Sequence, residues 1–527
     1  MSRRPKIVSA DPRVVLKEAH QALQQAEILR IQRQYDRAES ICLSLLKQFP
    51  EYFGALHTLG LVYGDKGNHQ QSVHYLVQAA MLNAHSWTTL TALGGEYLLL
   101  GAKKMAIRAL RDALEINSTE PAIYVTLAEV YYKRREYLLA SDMYSKALEL
   151  APQMDEAILG FARVGMELGR YSEAASALEH LIDLRGPSLD MLKLIVNLPT
   201  ALIRRDLLAD LDKVKSVPSA NGVQKEIDDA FVRATALDKM GRYEEAWNWA
   251  VKANDTVRSS INKEIVTEID GIEHRLDWFS KNLFQFKDSN NFDNNYPKSL
   301  FILGPSRSGK TTFESIIALQ AGVKRGYENP AIEDAVATGF QMGGLVTFQS
   351  LAQLPSQLYG TVRDVYRKNI KELLGDSNLL TNTSPGHIWD VPFFLKAISN
   401  MRCVFIKRDI GDLMLRIYMK HYRVGNTYSY DINVLEGYVN AYNKMIDALS
   451  ETFPSVSCII NYEDMVANPA KALDEVCKLC GIIPNHSVLP QRIANDIGCA
   501  EPYRGMVKAA LDDNHRSGGI TRSASSG

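Results

Sequence analysis

The residues Gly304-Pro-Ser-Arg-Ser-Gly-Lys-Thr-Thr-Phe-Glu314 concentrate more chemistry than any other stretch of the chain, and they follow the apolar run Leu300–Leu303. A strand that turns through such a loop into a helix aims several backbone N–H groups and the positive end of the helix at one anion. Gly304 and Gly309 let the chain curl, Ser308, Thr311 and Thr312 bring hydroxyls, and Arg307 and Lys310 bring positive charge. The spacing fits two patterns at once. One is G-x-x-x-x-G-K-T, in which the lysine reaches the outer phosphates of a nucleoside triphosphate. The other is P-x-R-S-G-x-T. Both predict phosphate binding and differ in the nucleotide.

The rest of the chain separates them. An ATP or GTP enzyme ordinarily places a carboxylate at the end of another buried strand to hold Mg²⁺. Here the strand-like run 402–407 leads into Lys407-Arg408, and the run 456–461 ends on Asn461. Two cations at that point suit a ligand with a second phosphate and no metal, such as 3′-phosphoadenosine 5′-phosphosulfate. Arg408 offers a bidentate fork, Asp409 a cap for the next helix, and Arg416 lies two turns along it. A solvated basic helix with Lys407, Arg416, Lys420 and Arg423 in water has the same pattern, and the nearby loop favours the anion clamp.

These side chains need a scaffold. Apolar runs at 299–303, 377–382, 402–407 and 456–461 alternate with helical stretches at 310–320, 361–374, 411–422, 433–450 and 469–480. Such alternation predicts a parallel sheet covered on both faces, with ligands at the carboxyl ends of its strands. Upstream the pattern is different. Leu59, Leu93, Leu127 and Phe161 are 34 residues apart, each followed by Gly60, Gly94, Ala128 or Ala162, with Ala79, Ala113 and Ala147 in step. A 34-residue period with small residues at fixed offsets resembles the tetratricopeptide repeat. Five units cover 19–188, and 189–285 is a divergent sixth unit and helical cap. The Asn-rich segment 286–298 is a linker, 299–510 the α/β domain, and 511–527 a tail expected to be disordered. The fold class is therefore an all-α superhelix followed by an α/β P-loop domain with a central parallel sheet.

Three segments extend the resemblance. "PKSLFILGPSRSGKTTFE" is similar to the donor loop of the bacterial family that joins tetratricopeptide repeats to a sulfotransferase domain. "CVFIKRDIGDLMLRIYMKHY" is similar to its 3′-phosphate strand and helix, and the stretch from Tyr428 to Ile482 to the elements that follow. The resemblance implies sulfuryl transfer from 3′-phosphoadenosine 5′-phosphosulfate to a hydroxyl acceptor, a peptide or carbohydrate among the candidates, with no metal required. It also implies that Gly304, Arg307, Ser308, Gly309, Lys310, Thr311, Thr312, Arg408 and Arg416 bind the donor, that Arg307 stabilises the leaving group, and that Glu328 is the base. His387 is the rival base, and Tyr503 and Arg504 would lie in a late nucleotide-contacting loop. Three departures stand out: Lys310 replaces a usual threonine, Arg416 a usual serine, and "TNTSP" (381–385) lacks an expected lysine, a role open to Lys310. A P-loop kinase or NTPase, and a repeat scaffold with an inactive C-terminal domain, are the competing functions.

The formal net charge of −1 over 527 residues gives no field to recruit nucleic acid or an anionic membrane. Six scattered cysteines predict a reducing compartment, and with no apolar leader the expected location is the cytoplasm. Cys477 and Cys480 have redox or metal spacing, but with Leu473 and Val476 they form a helical core stripe. The repeats predict a groove for the acceptor or a protein partner, or a surface for self-association.

Overall fold

The computed structural model describes residues 12–215, 222–286, 298–342, 355–422, 425–490, 493 and 495–516. The chain divides into two compact units, residues 1–186 and 187–527.

Among its described residues the first unit is a series of ten helices in antiparallel pairs, from Pro12–Ile31 to Tyr171–Arg185. The small residues of the repeat lie where paired helices touch. A methyl group on Gly60 would stand 2.6 Å from Leu76 Cγ, and one on Gly94 would stand 2.5 Å from Leu110 Cγ, so each glycine admits its partner helix's leucine. Ala79, Ala113 and Ala147 are fully buried in the second helix of successive pairs. The first helix starts seven residues before the position where the repeat register begins.

Among its described residues the second unit contains five parallel strands: β1 (Lys298–Leu303), β2 (Val323–Lys324), β3 (Leu379–Asn382), β4 (Met401–Lys407) and β5 (Ser457–Asn461), in the order β2-β3-β1-β4-β5. Side chains alternate across the sheet. Leu300, Ile302, Val404 and Ile406 join Phe313, Leu473, Cys477 and Cys480 on one face. Phe301, Leu303, Cys403 and Phe405 join Phe394 and Tyr442 on the other. Burial pushes the Cys477 thiol up to about 11 and the Cys480 thiol up to about 12, as befits core cysteines.

The helices of 187–286 depart from the cap reading. They belong to the same compact unit as the sheet. Trp247, Ile265, Ile272 and Phe279 share the core of Phe301 and Phe405. Polar ties reinforce the joint: Arg416 Nη1 to Asp238 Oδ2 at 2.9 Å, His421 Nδ1 to Asp228 Oδ1 at 2.8 Å, Asn254 Nδ2 to the Tyr418 carbonyl at 3.0 Å and Arg258 Nη1 to Asp431 Oδ2 at 3.0 Å. Tyr243–Asn282 is a pair of helices joined at a kink at Ile261.

Most of the linker reading, 287–297, lies outside the described residues; Phe286 closes a short 3-10 turn and Lys298 opens β1. The tail reading needs correction at its start. Helix Arg504–Arg516 includes 511–516, with Leu511 against the core, while 517–527 lie outside the described residues.

Candidate active site

The carboxyl ends of the strands gather the chemistry. β1 leads into the loop 304–309 and then helix Lys310–Ile317. Gly309 has φ 98°, and a methyl group there would collide with the Tyr462 ring. Gly304 lets the loop pass the Ile406 carbonyl, 2.8 Å from where its Cβ would stand. Arg307 adopts φ 67°, a conformation L-residues hold at a cost where the surroundings enforce it. The Ser306 hydroxyl meets Tyr422 Oη at 2.7 Å, a contact with no signal in the motif.

Lys310 turns inward. It is buried, and its Nζ donates to the carbonyls of Gly304 at 2.8 Å and Pro305 at 2.6 Å. Burial and, to a lesser extent, the Lys420 ammonium push its pKa down to about 7, against the opposing pull of Glu328. Lys310 thus stands within electrostatic reach of both. An anion seated in the loop favours the protonated amine, so binding above pH about 7 must take up a proton, and affinity falls as pH rises through that range. Calorimetry at pH 8 in buffers of different ionisation enthalpy is expected to show uptake of up to one proton with a phosphate ligand, and close to none in Lys310→Thr.

Glu328 is exposed in the segment after β2. That segment is held by Glu314, a buried residue the motif reading passed over. Glu314 Oε1 accepts from the Thr381 hydroxyl at 2.6 Å and from the Tyr327 N–H at 2.8 Å, and Oε2 accepts from Arg325 Nε at 3.0 Å. The first helix after the loop therefore anchors the backbone next to Glu328. An acid beside Phe313, Ile316 and Ile317 on a short apolar helix was the available signal.

His387 follows β3 and is buried, its ring edge-on to Phe301 and Phe394. Its Nε2 lies 3.2 Å from Glu333 Oε1 without making a hydrogen bond. Burial raises the nearby Asp390 carboxyl to about 6, with His387 and Arg275 opposing the rise. His387 is thus an internal group packed on aromatic rings beside Glu333, whereas Glu328 faces solvent within electrostatic reach of Lys310.

β4 runs into Arg408. Its Nη1 donates to the Arg307 carbonyl at 2.9 Å, its guanidinium lies over the Tyr462 ring at 4.6 Å, and its Nη2 meets Asp496 Oδ1 at 2.7 Å. Asp409 caps the next helix, Ile410–Tyr418, by accepting from the Asp412 N–H at 2.9 Å. Arg416 near the end of that helix pairs with Asp238 and, through Nε, with Asp496 Oδ2 at 2.7 Å. Thus Arg408 and Arg416 share one carboxylate instead of standing bare. Lys407 pairs with Asp447 at 2.5 Å, Lys420 is exposed, and Arg423 lies outside the described residues. Tyr503 is fully buried and its hydroxyl bonds Asp238 at 2.8 Å, so it reaches the clamp through Asp238 and Arg416; Arg504 is exposed and pairs with Glu501 at 2.5 Å.

Besides His387 Nε2, two buried polar atoms among the described residues of the loop and the β4 end have no hydrogen-bond partner: the Ser308 hydroxyl and Arg408 Nε. One lies in the loop and the other in the guanidinium bonded to the loop's Arg307 carbonyl. Among the described residues no group of three His, Cys, Asp or Glu side chains is placed to hold a metal ion.

Residues 297–484 match the model of the sulfotransferase family, and residues 53–86 that of the tetratricopeptide repeat. The chain joins tetratricopeptide repeats to a sulfotransferase-family domain. It is similar to an uncharacterized protein of Aquifex aeolicus (strain VF5), 19% identical over 389 residues that make up 70% of this chain and 49% of the relative. It is also similar to the BBSome complex member BBS4 of Bos taurus, 28% identical over 115 residues, 22% of this chain and 21% of that protein. The chain thus spans about half the length of the first curated relative and about a fifth of the second. Among solved structures, MamA is 23% identical with a TM-score of 0.28, covering 30% of this chain and 92% of its own. A tetratricopeptide repeat protein from Parabacteroides merdae ATCC 43184 is 18% identical with a TM-score of 0.36, covering 48% and 97%. No helix among the described residues is long and apolar enough to cross a membrane.

Proposed function

We propose that the sulfotransferase-family domain transfers a sulfuryl group from 3′-phosphoadenosine 5′-phosphosulfate to a hydroxyl acceptor. The observation that carries this reading is the joining of two cationic centres at the carboxyl ends of the adjacent interior strands β1 and β4. The loop of Arg307 and Lys310 is bonded directly to Arg408, and Arg408 is linked through Asp496 to Arg416. A donor with phosphate groups at both its 5′ and 3′ positions needs such a pair of centres. The unpartnered Ser308 hydroxyl and Arg408 Nε fit donation to its oxygens.

The roles follow from charge. The loop N–H groups, Arg307 and protonated Lys310 neutralise the 5′-phosphate as it leaves with the electron pair of the broken S–O bond. Glu328 takes the proton of the acceptor hydroxyl as the new S–O bond forms. The repeats would bind the acceptor or a partner protein.

The competing triphosphate reading needs a carboxylate free to hold Mg²⁺ near the loop. Asp409 is engaged as a helix cap and Asp464 accepts from Asn461 Nδ2 at 3.2 Å, which favours the metal-free donor. Calorimetry with 3′,5′-adenosine bisphosphate and with ADP plus Mg²⁺ tests the choice. Tighter binding of the bisphosphate without metal is the expected result. Tighter binding of ADP that depends on Mg²⁺ would reject the donor, and binding of neither would favour a scaffold.

A further inference from the structure

Asp496 sits between the two guanidiniums assigned to the 3′-phosphate. One of its oxygens is 2.7 Å from Arg408 Nη2 and the other 2.7 Å from Arg416 Nε. A carboxylate that gives one oxygen to each of two guanidiniums occupies the donors that two phosphate oxygens would use. We infer that Asp496 holds down the affinity of this site for a 3′-phosphorylated nucleotide: its carboxylate competes with the 3′-phosphate for Arg408 and Arg416, and the phosphate must displace it to bind. The inference rests on the donor reading above.

Three observations make Asp496 a competitor and not the brace that orients the arginines. First, each arginine is anchored without it. Arg408 bonds the Arg307 carbonyl and lies over Tyr462, and Arg416 bonds Asp238, itself fixed by the Tyr503 hydroxyl. Second, the Asp496 side chain is 34% exposed, whereas that of Arg408 is 4% exposed, so the carboxylate has solvent to move into and the guanidinium does not. Third, the following turn is held by groups other than the Asp496 carboxylate, the Asp496 carbonyl accepting from the Cys499 N–H at 3.2 Å. Buried Asp412 accepts from the Gly498 N–H at 2.6 Å and from the Ala500 N–H at 2.9 Å. The Asp496 carboxylate can therefore leave the arginines without unseating the turn, its backbone carbonyl staying 3.4 Å from Arg408 Nη2.

The energetic consequence is specific. A phosphate seated on both guanidiniums with Asp496 still in place would put two anions on the same donors. The apparent affinity for a 3′-phosphorylated nucleotide is then the intrinsic affinity reduced by the fraction of molecules in which Asp496 has withdrawn. A nucleotide without the 3′-phosphate makes no demand on these arginines and is unaffected.

The test is calorimetry on the full chain with 3′,5′-adenosine bisphosphate and adenosine 5′-monophosphate, for wild type, Asp496→Asn and Asp496→Ala, with a thermal melt of each. Both variants are expected to bind the bisphosphate roughly tenfold more tightly, the scale of one charged hydrogen bond released. Affinity for the monophosphate should change by less than about twofold on the same reasoning. Weaker bisphosphate binding in variants that melt normally would overturn the inference and make Asp496 a brace. Equal tightening of both nucleotides would also overturn it. Asp496→Asn keeps the size of the side chain and decides the matter if Asp496→Ala fails to fold. A wild-type chain that binds neither nucleotide removes the donor reading itself, and the inference with it, which is distinct from a wrong order among variants.

Discussion

Glu328→Gln is expected to lower sulfuryl transfer by about 10²–10⁴-fold, the usual contribution of a general base, while affinity for 3′,5′-adenosine bisphosphate stays near that of wild type. Glu328 is exposed, so it is reachable by an acceptor, and it acts electrostatically on Lys310 at the loop. Replacing it with an amide removes a proton acceptor and leaves the loop donors intact. A small secondary effect follows from the same contact. Glu328 pulls the Lys310 pKa upward, so the amide lets it fall and makes anion binding weaken at a slightly lower pH. Steady-state turnover and nucleotide titration on one preparation separate the two. His387→Ala is the matching control. The buried imidazole packs on Phe301 and Phe394, so its loss should appear as lower stability before lower turnover. If Glu328→Gln keeps full turnover and folded His387→Ala abolishes it, the base assignment is wrong.

Glu314 explains why the proposed base was hard to place from sequence. Glu328 drew notice only through the resemblance, because a carboxylate in a polar turn has no periodicity of its own. What positions its segment is a buried acid on another element, joined to it through Tyr327, Arg325 and Thr381. Long-range polar ties of this kind leave no local pattern. The main strands were legible within about two residues, since buried parallel strands are continuous apolar runs. β2 was missed because two residues, Val323 and Lys324, offer no run to see. The repeats were legible in register because each small residue recurs where a facing helix demands it, as Gly60 and Gly94 demonstrate. The helices of 187–286 retain some of that spacing, which suggested a sixth unit, yet Trp247 and Phe279 bury against the sheet's core. Amphipathic periodicity says that a face is buried and not against what. The clamp illustrates the same limit. Arg408 and Arg416 were visible as cations, while Asp238 and Asp496, distant in sequence, decide what those cations meet.

Arg408→Ala is expected to weaken 3′,5′-adenosine bisphosphate by about 1.5–3 kcal/mol, the scale of a charge-assisted hydrogen bond, and to change the affinity of adenosine 5′-monophosphate much less. The asymmetry follows from location. Arg408 lies beyond the end of β4, with Nη1 on the Arg307 carbonyl, Nη2 on Asp496 and Nε unpartnered, so its free capacity points to a group other than the one cradled by the loop. The competition from Asp496 places the expected loss toward the lower end, because binding already forfeits one carboxylate contact. Lys310→Thr should instead affect both adenosine nucleotides alike and stop short of abolishing binding. Its amine is satisfied by the carbonyls of Gly304 and Pro305, and the proposed 3′-phosphate anchor is elsewhere, so measurable bisphosphate affinity should survive. A triphosphate enzyme requires the reverse order, since there the lysine grips the outer phosphates directly. Equal weakening of both adenosine nucleotides by Arg408→Ala, together with loss of ATP binding in Lys310→Thr, would make Gly304–Thr312 a triphosphate loop and end the sulfotransferase reading.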